Sequence, residues 1–211
     1  ISFAIKLQFS FMLKENMKIL LTLFILFCSS SVVADDISDF QIEGISVGDS
    51  LLKYMSEYEI TKEIESNKNM YKDLSKKFSE VFLFKKFENY LYLSFLVKPN
   101  DLNYIIYSIR GFINYNNEVE KCLLKLEEIS EEISPLFNNA KKNEGRYLSK
   151  RDAYGKTYIN YVGFTLLSGA EITIQCYDYS KEIKNKNNAR DNLSISIETE
   201  EAYNWFITPI N

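Results

Sequence analysis

Few residues in this 211-residue chain could carry chemistry. Gly48-Asp49-Ser50-Leu51 places a serine behind a glycine and an acid, a grouping that suits a nucleophile in ester cleavage. A serine hydroxyl attacks only when an adjacent base takes its proton, and the chain contains no histidine. Lys53, three residues on, would share a helix face with Ser50, but it is expected to be solvated and protonated. With no histidine and three cysteines, a zinc or copper site of the usual kind lacks its ligands, and no metal or other cofactor is expected. No glycine-rich phosphate loop is present. Carboxylates are plentiful: Asp35, Asp36 and Asp39 read as a solvated leader, and Glu127, Glu128, Glu131 and Glu132 as the wet face of a helix. A hydrolase built on an Asp/Glu pair needs no histidine, yet no spacing singles out one pair.

The four letters are the signature of the GDSL esterases and lipases. That family holds its base in a late Asp-x-x-His block and its oxyanion hole in a Gly-x-Asn-Asp block, and both are missing here. The same letters read better as architecture. Residues 40–47 alternate apolar and polar as a short strand does. Gly48 breaks that pattern, and Asp49 or Ser50 caps a helix whose stripe is Leu51, Leu52, Met55 and Tyr58. The expected role of Ser50 is to start a helix, and no catalytic residue is assigned.

Taken together, DFQIEGISVGDSLL, VKPNDLNYIIYSIRG at 97–111 and QCYDYS at 175–180 resemble a group of small exported proteins from AT-rich marine bacteria. The group has no assigned activity. The resemblance implies export and a shared fold, and it carries over no site residue.

Export is also expected from the residues themselves. Met17 is the expected start, followed by Lys18, an apolar run at 19–27, and Val32-Val33-Ala34 ahead of Asp35. This is the order of a secretory signal with cleavage between Ala34 and Asp35. Nine apolar residues fall well short of the roughly 20 that span a bilayer. Residues 1–34 are therefore read as an upstream extension plus signal, and 35–211 as one α+β domain, periplasmic or secreted. The alternative is an inner-membrane protein held by an uncleaved signal. Residues 35–211 carry 22 basic and 28 acidic side chains, a net charge of −6. An acidic surface without basic clusters argues against nucleic acid, where phosphate neutralisation dominates affinity.

The element order predicts two αβββ halves forming one antiparallel sheet, with helices packed on one face. The first half has strands at 81–87 and 90–97 about a Glu88-Asn89 turn, then 104–115 with Gly111 at a bulge or bend. Asn117 with Glu120 resembles a capping box opening a helix striped by Val119, Cys122, Leu123, Leu126, Ile129 and Ile133. Residues 138–156 and 180–191 read as polar loops. Strands are expected at 157–167, 170–178 and 193–197, where Leu193, Ile195 and Ile197 alternate with serines, and a short helix follows Thr199.

With Cys28 removed, Cys122 and Cys176 are the only pair left, both on apolar faces, and an exported chain favours their bridging. Tyr90, Tyr92 and Tyr177 are expected on the sheet face away from the helices, where tyrosines serve either recognition or cross-strand support. The expected function is an exported, non-enzymatic binding protein acting through a protein-interaction surface, with a periplasmic or envelope protein as partner. The alternative is a carboxylate-pair hydrolase of cell-wall or glycan substrates.

Overall fold

The computed structural model describes residues 37–208 except 72, 73 and 151. The start at Met17 and the cleavage site at Ala34 and Asp35 lie outside the described residues. Among the described residues no helix is long and apolar enough to cross a membrane.

The chain opens with a two-stranded hairpin, β1 (Gln41–Ile42) and β2 (Ile45–Ser46). The single strand expected at 40–47 folds back on itself because Glu43 and Gly44 take φ of 54° and 75°, the left-handed pair of a two-residue hairpin turn. Ser50 then caps a 3-10 turn, Leu51–Lys53, and its Oγ accepts from Leu52 N at 3.3 Å. The α-helix starts later than expected. α1 (Glu57–Asn67) is opened by Ser56 and Glu59, which exchange backbone and side-chain bonds as a capping box. This second start rotates the expected stripe out of register, so Tyr58 is 75% exposed while Ile60 is buried.

The main sheet holds seven antiparallel strands: β3 (Ser79–Leu83), β4 (Tyr92–Val97), β5 (Ser108–Asn116), β6 (Lys141–Leu148), β7 (Tyr158–Thr165), β8 (Glu171–Asp178) and β9 (Asp191–Glu198). Their order is β3-β4-β5-β9-β8-β7-β6. The fold is α+β, as the sequence predicts. The second half has four strands rather than three, because part of the polar run at 138–156 forms β6. The last strand, β9, inserts between β5 and β8 and joins the two meanders.

α2 (Val119–Ile133) packs on one face of the sheet, here the inner face, through Cys122, Leu126, Ile129 and Ile133. Its N-cap is Glu118, which makes no side-chain capping bond, so the box expected at Asn117 does not form. The inner core runs from Val81 and Phe95 through Ile109, Ile195 and Ile174 to Phe164. Cys122 and Cys176 are disulfide-bonded within it, tying α2 to β8 across 54 residues.

The two sheet edges differ. α1 covers β3: Phe82 N donates to Glu63 Oε2 at 3.3 Å, and Asn67 Nδ2 donates to Glu80 O at 3.2 Å. β6 lies open and carries exposed Lys141, Lys142 and Arg146, charges that discourage edge-to-edge pairing. Between β8 and β9 runs a short helix, α3 (Lys181–Asn187), capped by Ser180. The chain ends in α4 (Glu200–Ile207), capped by Thr199. α4 departs from the expected one-sided packing. Its Ala202 and Trp205 sit with Leu74, Phe78 and Leu96 in a second cluster, and Leu96 points away from α2.

Candidate ligand-binding cleft

The outer face of the sheet is laid out by strand register and period-two alternation. One row across the strands reads Gly163, Thr173, Ser196, Arg110 and Ser94. The next reads Tyr161, Gln175, Ser194, Phe112 and Tyr92. Small side chains fill most of the first row, so it forms a trough running across the strands. Aromatic rings wall one side, and α4 closes the other with Tyr203 and Phe206. The resulting cleft has a volume of about 500 Å3.

α4 is held in place from outside the trough. Trp205 Nε1 donates to Ser75 O at 2.8 Å, and Glu201 pairs with Lys77 and Lys98, each at 2.9 Å. On its cleft side, Phe206 lies 5.2 Å beneath the Arg110 guanidinium.

Two glutamates face into the cleft as direct cross-strand neighbours, Glu171 on β8 and Glu198 on β9. Both are buried, each 4% exposed. Arg110 Nη2 donates to Glu198 Oε1 at 3.0 Å, and Ser108 Oγ donates to the same oxygen at 3.3 Å. Burial works against the Arg110 charge, but the Glu198 carboxylate outweighs it and holds the guanidinium above the usual arginine value. Glu171 is different. Burial raises its carboxyl above the ordinary value, a Thr165 hydroxyl bond opposes this, and the negative charge of Glu198 adds to it.

The cleft also holds polar atoms without partners. Among the described residues, Arg110 Nε and Glu171 Oε2 are buried cleft atoms that make no hydrogen bond, and outside the cleft lining Ser194 Oγ and Asn192 Oδ1 are likewise unpaired. Native interiors seldom leave such groups orphaned, and a bound ligand is one way to satisfy them. The Glu171 carboxyl has room because residue 163 is glycine: a Cβ there would come within 2.5 Å of Glu171 Oε1. Gln175 is held by two ring hydroxyls: its Nε2 donates to Tyr147 Oη at 3.4 Å, and Tyr177 Oη donates to its Oε1 at 2.8 Å.

The expected site residues separate in space. Tyr177 lines the cleft. Tyr92 lies on the same outer face, stacked on Phe112 at 4.5 Å with Phe84 at 5.3 Å on its other side, and burial pushes its hydroxyl up to about 12. Tyr90 does not join them. It precedes β4, where alternation does not govern it, and it is buried in the inner core with its ring against Gly111. Gly111 is therefore no bulge. It pairs regularly with Leu93 and Ile195, and the register shift falls at Asn114 and Asn116.

Asp49 and Ser50 form a tight turn. The Asp49 carboxylate accepts from Ser46 N, Tyr54 Oη and Lys53 Nζ, and Ser50 Oγ donates to Asn103 O at 2.6 Å. Among the described residues no group of three or more Cys, Asp or Glu side chains could hold a metal ion. Sequence reasoning missed Arg110, Glu171 and Glu198. Their one local sign is the Leu-Ser-Ile-Ser-Ile-Glu alternation of β9, whose polar members lie on the outer face with Ser196 in the trough floor. No known protein family, curated protein or solved structure matches this chain.

Proposed function

We propose that this chain is an exported, non-enzymatic binding protein that holds an envelope component in the outer-face cleft beneath α4. One observation carries the reading: buried polar atoms of Arg110 and Glu171 lie unpaired in one concave cleft, between aromatic walls. A protein partner would fit the flatter row of Phe84, Tyr92 and Phe112, beside which Asn192 Oδ1 is also unpaired, but the charged groups with unpaired atoms, Arg110 and Glu171, line the cleft. Export is supported by the 17–34 pattern and by the disulfide, a bond that persists in oxidising compartments.

The adjacent glutamates favour a second reading, glycan hydrolysis by a carboxylate pair. Against it, the Glu198 carboxylate is tied through Oε1 to both Arg110 and Ser108, a structural ion pair rather than one of two carboxyls available to exchange a proton with a substrate. Native mass spectrometry after exposure to envelope extract tests the binding reading. Wild type should retain a ligand that Thr173→Trp, which fills the trough, does not. Equal retention by both, or by neither, would overturn it.

A further inference from the structure

We infer that the cleft takes a neutral saccharide, with Glu171 and Arg110 meeting its hydroxyls and the rings of Tyr161, Tyr203 and Phe206 packing on its sugar faces. The inference rests on the binding reading above and names its ligand class.

The chemistry follows from which atoms lack partners. Arg110 Nε can only donate, and an ionised Glu171 Oε2 can only accept. A ligand that satisfies both must donate and accept within the same cleft. An ammonium donates only. It would pair with Glu171 and leave Arg110 Nε orphaned. A phosphate or carboxylate accepts only. It would answer Arg110 but bring negative charge against Glu171 and Glu198. A hydroxyl does both, and a sugar offers several hydroxyls around a ring whose C–H faces are apolar.

The walls and the size agree with this. The small side chains of Thr173 and Ser196 on the floor leave room for a ring to approach the sheet, and Glu171 reaches across Gly163 beside them. Tyr147 and Tyr161 meet edge to face at 5.7 Å, forming a corner on the open side. Tyr203 and Phe206 descend from α4 on the other. A volume of about 500 Å3 falls within the range of small-ligand sites. Arg110 is already matched by Glu198, and the exposed Lys150 at the rim faces a cleft that also holds Glu171, so the lining carries no excess of positive charge for an anionic ligand.

Calorimetric titration with cellotetraose, maltotetraose, laminaritetraose and tetra-N-acetylchitotetraose tests the inference, with spermidine, choline and inorganic phosphate titrated in parallel. At least one tetrasaccharide should bind wild type, weakened about tenfold by Glu171→Gln and similarly by Tyr161→Ala, with both variants melting cooperatively. Spermidine, choline and phosphate should not compete. Failure of every tetrasaccharide, binding that both variants leave unchanged, or displacement by spermidine or phosphate would overturn the saccharide. If the tetrasaccharides fail while trough-dependent retention from extract persists, the saccharide falls and the binding reading stands. If both fail, both fall.

Discussion

Glu171 and Glu198 sit opposite each other on β8 and β9, yet only Glu198 is paired with a cation, Arg110 at 3.0 Å. One buried carboxylate is thereby fixed as part of the sheet, and the other keeps an unpartnered oxygen in the cleft. The asymmetry gives the two residues different consequences on substitution.

Arg110→Met should be strongly destabilising, by about 3–5 kcal/mol, because it leaves Glu198 buried without its counter-charge. The double variant Arg110→Met/Glu198→Leu should recover most of that loss, since replacing a whole buried pair by apolar groups is often neutral. Urea unfolding of the two variants checks this. Equal losses would mean that the pair is not what Arg110 contributes.

Glu171→Gln should raise stability, and the gain should grow with pH. The folded state holds the Glu171 proton more tightly than the unfolded chain, whose glutamates titrate near about 4.3. Below that pH both states are protonated and wild type bears no penalty. As pH rises past it, the unfolded state ionises first and wild type loses stability until the folded carboxyl ionises too. Melting temperatures of both proteins from acid to neutral pH should therefore diverge upward. A gap that closes toward neutrality would contradict the assignment.

Asp152 should behave in the opposite sense. Burial raises its carboxyl, but bonds from the Thr157 hydroxyl and from the backbone of Tyr154, Lys156 and Thr157 outweigh this and hold it well below the usual carboxylate range. A carboxylate with a depressed folded value stabilises above the unfolded value of about 3.9, and loses that contribution as pH falls toward the folded one. Asp152→Ala should lower stability at neutral pH and show a shallower acid loss than wild type. Denaturant midpoints at neutral and strongly acidic pH measure the difference.

How much of this was legible in the sequence depended on whether a signal was local. Strands β7, β8 and β9 and the helix α2 have strong periodicity, and the structure places them within a few residues of expectation. β6 was not legible. Both of its faces meet water, so Lys141–Leu148 has no apolar alternation to read. α1 was displaced because the strongest capping signal, Ser56 with Glu59, lies six residues after the one at Ser50. The cleft was the least legible feature. It requires β9 to insert between β5 and β8, and that crossover brings Arg110 beside Ser196 and Glu171 beside Glu198. No local pattern encodes that register.

The Cys122–Cys176 bond closes a loop of 54 residues. Chain-entropy reasoning puts its contribution at about 4 kcal/mol, an upper guide. Cys122→Ala/Cys176→Ala should lower the urea midpoint accordingly while leaving the cleft, on the opposite face, able to bind. Intact mass with thiol alkylation before and after reduction checks the bond itself. Two alkylated thiols in unreduced, unfolded protein would contradict it.

Amide shift mapping of nitrogen-labelled protein, titrated with the small-molecule fraction of envelope extract, addresses the cleft itself. Perturbations should centre on Gly163, Thr173, Gln175, Ser196 and the amides of α4, and Thr173→Trp should abolish them. Perturbations confined to α2, to the β6 edge or to the row of Phe84, Tyr92 and Phe112, or none at all, would contradict a ligand seated beneath α4.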